Sequence, residues 1–170
     1  MQLIALHSYE DLKLVFLLKE DKNNKWEHLK TLPHIWDNNK QIRFWAEDYN
    51  EMKEISRYLE NEFLNRIQYE DADYKSFSPY YLIITDDYKK IESLKIINQI
   101  LGTKRNVGFG IFCITNNLLN LPNECKAFIN LENNVGAMFE NEISSKSKKD
   151  FVFDSSYTFF FEKIGNKFFM

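Results

Sequence analysis

Glycine is scarce in this sequence, and its few positions exclude the best-known nucleotide-binding loop. A phosphate loop has the pattern G-x-x-x-x-G-K-[ST], in which glycine backbone N–H groups wrap the phosphates and a lysine neutralises them. Only five glycines occur in 170 residues, and none is followed by Lys and then Ser or Thr. The GFG segment at 108–110 lies within an apolar run and not between a strand and a helix. It is therefore not a dinucleotide-binding fingerprint either.

Cysteine and long apolar runs are also scarce. The two cysteines, Cys113 and Cys125, are too few for a disulfide framework, which favours a reducing compartment. Cys113 lies in an apolar run, where a buried free thiol is the usual arrangement. No stretch approaches the roughly 20 apolar residues that span a bilayer, and the first residues lack the basic start of a signal peptide. The sequence alone predicts a soluble chain of cytoplasmic type.

Positive charge is not in excess, and histidine is rare. The net charge of −3 argues against a general affinity for nucleic acid, and the basic segment at 144–150 is interpreted as a solvated loop. The histidines, His7, His28 and His34, do not have the spacing of a metal site. No G-x-S-x-G elbow is present, and we assign no catalytic residue. We therefore expect no nucleic-acid partner, no metal and no cofactor in this chain.

Apolar residues make up 44% of the chain, and their pattern predicts an α/β fold. Near-continuous apolar runs suit strands buried on both faces, and spacings of three and four indicate helices between them. This alternation favours a three-layer Rossmann- or RecA-like domain, similar to phosphate-loop ATPases, with a mostly parallel sheet. We expect the domain over 1–150 and an aromatic tail over 151–170. Strands are predicted over 12–18, 41–47, 80–85 and 107–115, helices over 23–32, 48–68 and 87–101, and an antiparallel edge hairpin over 126–132 and 135–141.

Capping signals define the predicted helix ends. Asn24 matches the N-cap of the first helix, and Asp48 and Glu51 form the capping-box pattern of the second. Pro33 ends the first helix, because the residue before a proline avoids the helical region. Gly102 follows the third helix as its expected C-terminal cap. The opening residues have the pattern of the last turns of an apolar helix, so we expect the chain to be part of something longer.

Two adjacent carboxylates, Asp86 and Asp87, follow the apolar run at 80–85. This position is the carboxyl end of a predicted parallel strand, the usual edge for ligand sites in open α/β sheets. In a phosphate-loop ATPase, such a strand carries the acid that holds Mg²⁺. An Asp just before a helix is also an ordinary N-cap. The residues leave both interpretations open: a helix cap, or nucleotide and Mg²⁺ ligands of the Walker B type.

The order of several segments resembles a known family. Trp26, Leu29, Leu32, Pro33 and His34 match a W-x-x-L-x-x-LPH block, and the segments IRFWAED and YYLIITDD follow it. Together they resemble the type VII secretion coupling ATPases of Gram-positive bacteria (EssC/EccC type), which belong to the FtsK/SpoIIIE motor family. The similarity is to their degenerate first ATPase-like domain, between the membrane helices and the motor domains. It covers at least residues 2–140 and implies that the phosphate-loop region of that domain is missing from this chain.

The resemblance also implies a function. The domain would link the membrane-anchored part of a protein secretion ATPase to its motor domains, without independent ATP hydrolysis. ATP and Mg²⁺ would be used by the parent protein, which would be hexameric and engage WXG-type substrates at the cytoplasmic face of the cell membrane. The partners of this domain would be neighbouring domains or subunits. The alternative is a nucleotide-binding ATPase domain in which Asp86 or Asp87 places Mg²⁺.

Overall fold

Two β-sheets organise the chain. A computed structural model describes residues 2–20, 26–69, 77–132, 135–140, 143 and 146–152. The first sheet contains β1 (Leu12–Leu17), β2 (Trp45–Ala46), β3 (Tyr80–Thr85) and β4 (Phe109–Cys113). Its strands are all parallel and lie in the order β2-β1-β3-β4. The predicted α/β fold with a mostly parallel sheet is therefore confirmed.

Three of the four described α-helices cover one face of the parallel sheet. The four helices are α1 (Gln2–Leu6), α2 (Tyr49–Ile67), α3 (Tyr88–Ile91) and α4 (Lys95–Gly102). The three that share a face are α2 to α4, whereas Ile4 of α1 packs against the other face. Because side chains alternate along a strand, Val15 and Leu17 of β1 point to the same face and enter one core cluster with α2 and α4. Within the described ranges, no helix is both long and apolar enough to cross a membrane.

The opposite face of the parallel sheet is covered by α1, short 3₁₀ helices and a second sheet. The 3₁₀ helices are Glu27–Thr31 and Pro33–Ile35. The second sheet is antiparallel and consists of β5 (Ala127–Glu132), β6 (Val135–Glu140) and β7 (Lys149–Val152), in that order. Leu131 of β5 is buried in one cluster with Leu14 and Phe16 of β1. The domain thus has three layers, but its third layer is mixed instead of helical.

The predicted helices have different outcomes. The helix over 48–68 is confirmed as α2, with Asp48 at its N-cap. The helix over 23–32 is present only as the short 3₁₀ helix Glu27–Thr31, and its Asn24 cap lies outside the described residues. Pro33 does stop it, because Leu32 adopts the extended backbone that a following proline favours.

The helix predicted over 87–101 is divided into α3 and α4. Leu94 between them has an extended backbone with a ψ of 134°, which ends the helical hydrogen-bond pattern. Gly102 is the last residue of α4, and Thr103 occupies the C-cap position. The prediction of a glycine cap is therefore wrong.

Two strand predictions also need correction. Only Trp45 and Ala46 of the predicted strand 41–47 join the parallel sheet, and Arg43 forms an isolated bridge with Trp36. The predicted hairpin is present as β5 and β6, but it belongs to the separate second sheet instead of the edge of the first. The basic segment at 144–150 is interpreted from the sequence as a loop, but its last two residues, Lys149 and Asp150, belong to β7. The tail beyond Val152 lies outside the described residues, so the predicted division at residue 150 stays a prediction.

Candidate functional site

The carboxyl ends of β1 and β3 form the topological switch point of the parallel sheet. The chain leaves β1 toward β2 on one side, whereas β4, which follows β3, lies on the other side. Ligands of open α/β sheets bind in the crevice at such a point, because the connections diverge there. Lys19 comes two residues after β1, and Asp86 directly follows β3. The structure therefore places the predicted carboxylates at the edge where a ligand is expected.

A hydrogen bond from Lys19 to Asp86 bridges this crevice. The Oδ1 atom of Asp86 accepts the backbone N–H of Lys19 at 2.9 Å, although 67 residues separate the two in sequence. Burial raises the pKa of the Asp86 carboxyl, and the N–H of Lys19 opposes that rise by stabilising the charged form. A phosphate in this crevice would meet the Asp86 carboxylate, and the Lys19 N–H that could bind it is already donated to that carboxylate. The crevice is therefore a poor site for a phosphate.

Asp87 lies beside Asp86 at the N-cap position of α3. Its side chain makes no capping hydrogen bond, although Lys90 donates its N–H to the Asp87 carbonyl at 3.2 Å. The backbone N–H of Asp87 is donated to Oγ1 of Thr85 at 3.1 Å. The helix begins after Asp87, as the cap interpretation predicts, but the hydrogen bond that makes a cap stabilising is absent.

A thiol lies at the carboxyl end of the neighbouring strand β4. Cys113 closes β4 and is buried, and burial raises the pKa of its thiol to about 12. Burial also raises the pKa of the half-buried Cys125 thiol. Both groups are therefore protonated at neutral pH, which confirms the predicted buried thiol at Cys113. In the described ranges, no group of three or more His, Cys, Asp or Glu side chains could hold a metal ion.

The W-x-x-L-x-x-LPH block packs against the face of β1 that α2 does not cover. Trp26 and Leu29 are buried, and Leu32 packs against the same cluster. The Trp26 ring lies 6.4 Å from the Phe16 ring of β1, centroid to centroid. Pro33 is exposed and begins the second 3₁₀ helix. The apolar part of the block is therefore a packing unit that holds the 3₁₀ helices on the sheet.

His34 joins this block to the start of the chain. Its Nε2 lies 3.0 Å from the backbone carbonyl oxygen of His7. A carbonyl oxygen only accepts, so Nε2 carries the proton in this contact. The side chain is only 5% exposed, and its Nδ1 atom has no hydrogen-bond partner in the described part of the chain. The His34 contact therefore links the 3₁₀ helix Pro33–Ile35 to the residue that follows α1.

Arg66 is a structural residue that the sequence analysis missed. It lies near the end of α2, where Nη2 donates to the Pro79 carbonyl at 2.9 Å and Nη1 to the Val107 carbonyl at 3.2 Å. A basic residue three positions after Phe63, on the apolar stripe of the helix, is the signal that could have identified it. Its guanidinium carbon lies 5.0 to 5.4 Å from the ring centroids of Phe77, Tyr81 and Phe109.

Lys13 is a second buried charge, and it interrupts the apolar run of β1. Its side chain is only 1% exposed and its Nζ lies 5.4 Å from the centroid of the Tyr9 ring. Burial lowers the pKa of Lys13, whereas the charges of Asp37 and Glu10 raise it. The Asp37 carboxylate accepts three backbone N–H groups of its own loop, at 2.6 to 3.3 Å. This charge lies on the α2 face, away from the switch point.

Part of this chain is similar to an ESX secretion protein. The relative is the ESX secretion system protein EccC of Geobacillus thermodenitrificans (strain NG80-2), which is 24% identical over 110 residues. The match covers 65% of this chain and only 7% of the relative's length. No family model matches the chain, and no solved structure does. The comparison supports a region related to type VII secretion proteins, in agreement with the family that the LPH block indicates.

Proposed function

We propose that this chain is a coupling domain of a type VII secretion ATPase, without ATP hydrolysis of its own. The observation that carries the proposal is the hydrogen bond between Asp86 and Lys19 at the switch point, and the similarity to EccC gives the protein class. The sequence contains no lysine-bearing phosphate loop that could hold the γ-phosphate beside these carboxylates. On this proposal the domain acts through contacts with other proteins.

The role of the parent protein belongs to the same proposal. ATP and Mg²⁺ are used by its motor domains, which assemble as hexamers and engage WXG-type substrates at the cytoplasmic face of the membrane. This domain joins the membrane-anchored part to those motors. The packing of Trp26, Leu29 and Leu32 against β1 supports a structural role for the W-x-x-L-x-x-LPH block, because Trp26 and Leu29 are buried in the core and Leu32 packs against it.

A binding measurement tests the coupling role. The purified chain is immobilised, and the EccC protein of Geobacillus thermodenitrificans is passed over it in the presence and absence of ATP. We expect saturable binding that is equal for the native chain and for Asp86→Asn, because the proposal gives this carboxylate no role in the contact. Absence of binding, or binding that requires the Asp86 carboxylate, would contradict the proposal.

A nucleotide site at Asp86 and Asp87 is the second candidate. The observation that favours it is the position of two half-buried carboxylates at the switch point, where Mg²⁺ would find oxygen ligands. It predicts Mg²⁺-dependent nucleotide turnover that is lost in Asp86→Asn or Asp87→Asn. Equal turnover in the native chain and in both variants would contradict it.

A further inference from the structure

The two outer strands of the parallel sheet differ in how well their free edges are protected. At one edge, β2 has only two residues, and the charged residues Arg43 and Glu47 lie within two residues of its ends. A short strand with charges beside it is a usual protection of a sheet edge. At the other edge, β4 has five residues, and none of them is charged or a proline. β4 therefore lacks the features that keep another strand from pairing with it.

The hydrogen bonds to β3 show which backbone groups of β4 are free. Just before the strand, the Gly108 carbonyl accepts the N–H of Tyr81 at 2.9 Å. Just after it, the Ile114 N–H is donated to the Thr85 carbonyl at 2.7 Å. Successive residues of a strand direct their backbone groups to opposite sides. The even-numbered residues of β4 therefore bond to β3, and the odd-numbered residues face away from it.

The residues that face away from β3 are Phe109, Ile111 and Cys113. Their backbone N–H and C=O groups form no hydrogen bond on that side in the described part of the chain. Cys113 is almost fully buried, whereas Ile111 is half-buried. The ring of Phe109 is stacked on Tyr81 in the core, which accounts for the burial of that residue. The free groups that a neighbouring strand can reach are therefore those of Phe109 and Ile111.

The sequence around this edge carries no charge. No Asp, Glu, Lys or Arg occurs between Arg105 and Glu124. The stretch includes Leu119, whose side chain is 88% exposed. Like charges on facing strands destabilise a sheet, and a copy of this strand brings none to the edge, although the whole chain has a net charge of −3. The edge is therefore compatible with its own copy.

We propose that β4 pairs antiparallel with β4 of a second copy of this chain. A two-fold axis through Gly110 places Phe109 of each copy opposite Ile111 of the other, so that the free N–H and C=O groups of the two residues bond to each other. The two side chains of such a pair lie on one face and continue the core across the axis. Pairing uses the unprotected edge in both copies, so assembly stops at a dimer. The proposal rests on the sheet edge and does not depend on the proposed secretion function.

Sedimentation and hydrogen exchange of the purified chain test this pairing. We expect sedimentation equilibrium to give a monomer at low concentration and a dimer at high concentration. Amide exchange, measured by NMR at both concentrations, should slow for Phe109 and Ile111 when the dimer forms. The amides of Gly110 and Phe112 bond to β3 and should be protected at both concentrations. A monomer up to millimolar protein, or a dimer in which exchange at Phe109 and Ile111 is unchanged, would overturn the proposal.

Two variants at Ile111 and one matched control complete the test. Ile111→Lys should raise the dissociation constant of the dimer about tenfold or more, because it places two ammonium groups beside the axis. Ile42→Lys is the control, since Ile42 is also half-buried against the same core cluster but lies near the β2 edge. Ile111→Pro removes the N–H that faces the second copy without removing a hydrogen bond to β3, and should also weaken the dimer. Circular dichroism verifies that each variant is folded. Equal dimer affinity in Ile111→Lys and Ile42→Lys, or a dimer that Ile111→Pro does not weaken, would contradict the pairing.

Discussion

Arg66 and Lys13 are charged side chains inside the core on the α2 face of the sheet, and they differ in the number of partners they have. Arg66 has carbonyl acceptors, ring faces and the Glu62 carboxylate at 3.8 Å. In the described part of the chain, Lys13 lies near only the Tyr9 ring and in the electrostatic field of Asp37 and Glu10. A buried charge stabilises a fold only when its hydrogen bonds replace those lost from water. We therefore expect opposite results when the two residues are replaced.

Arg66→Lys should destabilise the fold by about 2 kcal/mol, because an ammonium cannot reproduce the planar fork that reaches two carbonyl groups. Arg57→Lys, at an exposed position of the same helix, is the control and should be almost neutral. The free energy of unfolding is measured by urea denaturation. Equal effects of the two substitutions would show that the buried contacts of Arg66 do not contribute to stability.

Lys13→Met should raise the free energy of unfolding, by about 1 kcal/mol, because an apolar chain of similar length replaces a buried charge. Burial lowers the pKa of Lys13 in the folded state below its ordinary value of 10.5. The penalty for this charge is complete below the folded pKa and disappears as the pH rises from there to 10.5. The advantage of the variant should therefore shrink as the pH approaches 10.5. A less stable variant, or an advantage that grows with pH, would contradict this account.

The two thiols should differ in reactivity. Cys113 is buried with a pKa of about 12, whereas Cys125 is half-buried. Since the thiolate is the nucleophile, iodoacetamide at mildly alkaline pH should modify Cys125 well before Cys113. Mass spectrometry of the digested protein gives the two rates, and urea-unfolded protein is the control, in which the rates should become equal. Faster modification of Cys113 in the folded protein would contradict its burial.

At the residue scale, the sequence predicts the place of a functional group better than its contacts. The positions of Asp86 and Asp87 after β3 are confirmed, because a strand of six residues fixes where the next residue lies. The hydrogen bond from Lys19 to Asp86 joins residues 67 apart, and no local pattern predicts such a contact. The proposed role of Asp86 and Asp87 as nucleotide ligands stays a prediction.

Among the elements, those with a long regular pattern are predicted well. The helix α2 has 19 residues with an apolar stripe along it, and its start after Asp48 follows from a local capping pattern. The break between α3 and α4 has no such local signal. Ser93, between the two helices, contacts the hydroxyl of Tyr49 at 2.8 Å although 44 residues separate them, and Asn98 of α4 donates to the nearby carbonyls of Glu92 and Leu94. A helical pattern of only four apolar residues does not predict the contact with Tyr49.

The start of α2 provides a prediction for an element. Asp48→Ala should cost about 1 kcal/mol of stability, because the carboxylate accepts the N–H of Asn50 at 2.8 Å. Asp48→Asn keeps an acceptor at that position and should be close to the native chain. Thermal unfolding followed by circular dichroism compares the three proteins. If the alanine and asparagine variants lose equal stability, the cap hydrogen bond is not the cause.

For the whole molecule, the class of fold follows from the order of strands and helices, but the third layer does not. The second sheet packs Leu131 against Leu14 and Phe16 of β1, a pairing of segments far apart in sequence. A hairpin pattern predicts that β5 and β6 pair with each other, and it does not predict which face of the parallel sheet they cover. The sequence pattern therefore predicts the local pairing of strands but not the packing of segments far apart in sequence.

The most direct test of the coupling proposal is the binding of a fluorescent ATP analogue to the purified chain, with and without Mg²⁺. Asp86→Asn and Asp87→Asn are measured beside the native chain. The proposal predicts no saturable binding up to millimolar nucleotide in any of the three proteins, because the chain has no phosphate loop and a carboxylate lies in the crevice. Tight, Mg²⁺-dependent binding that either substitution abolishes would contradict it and would make the two carboxylates nucleotide ligands.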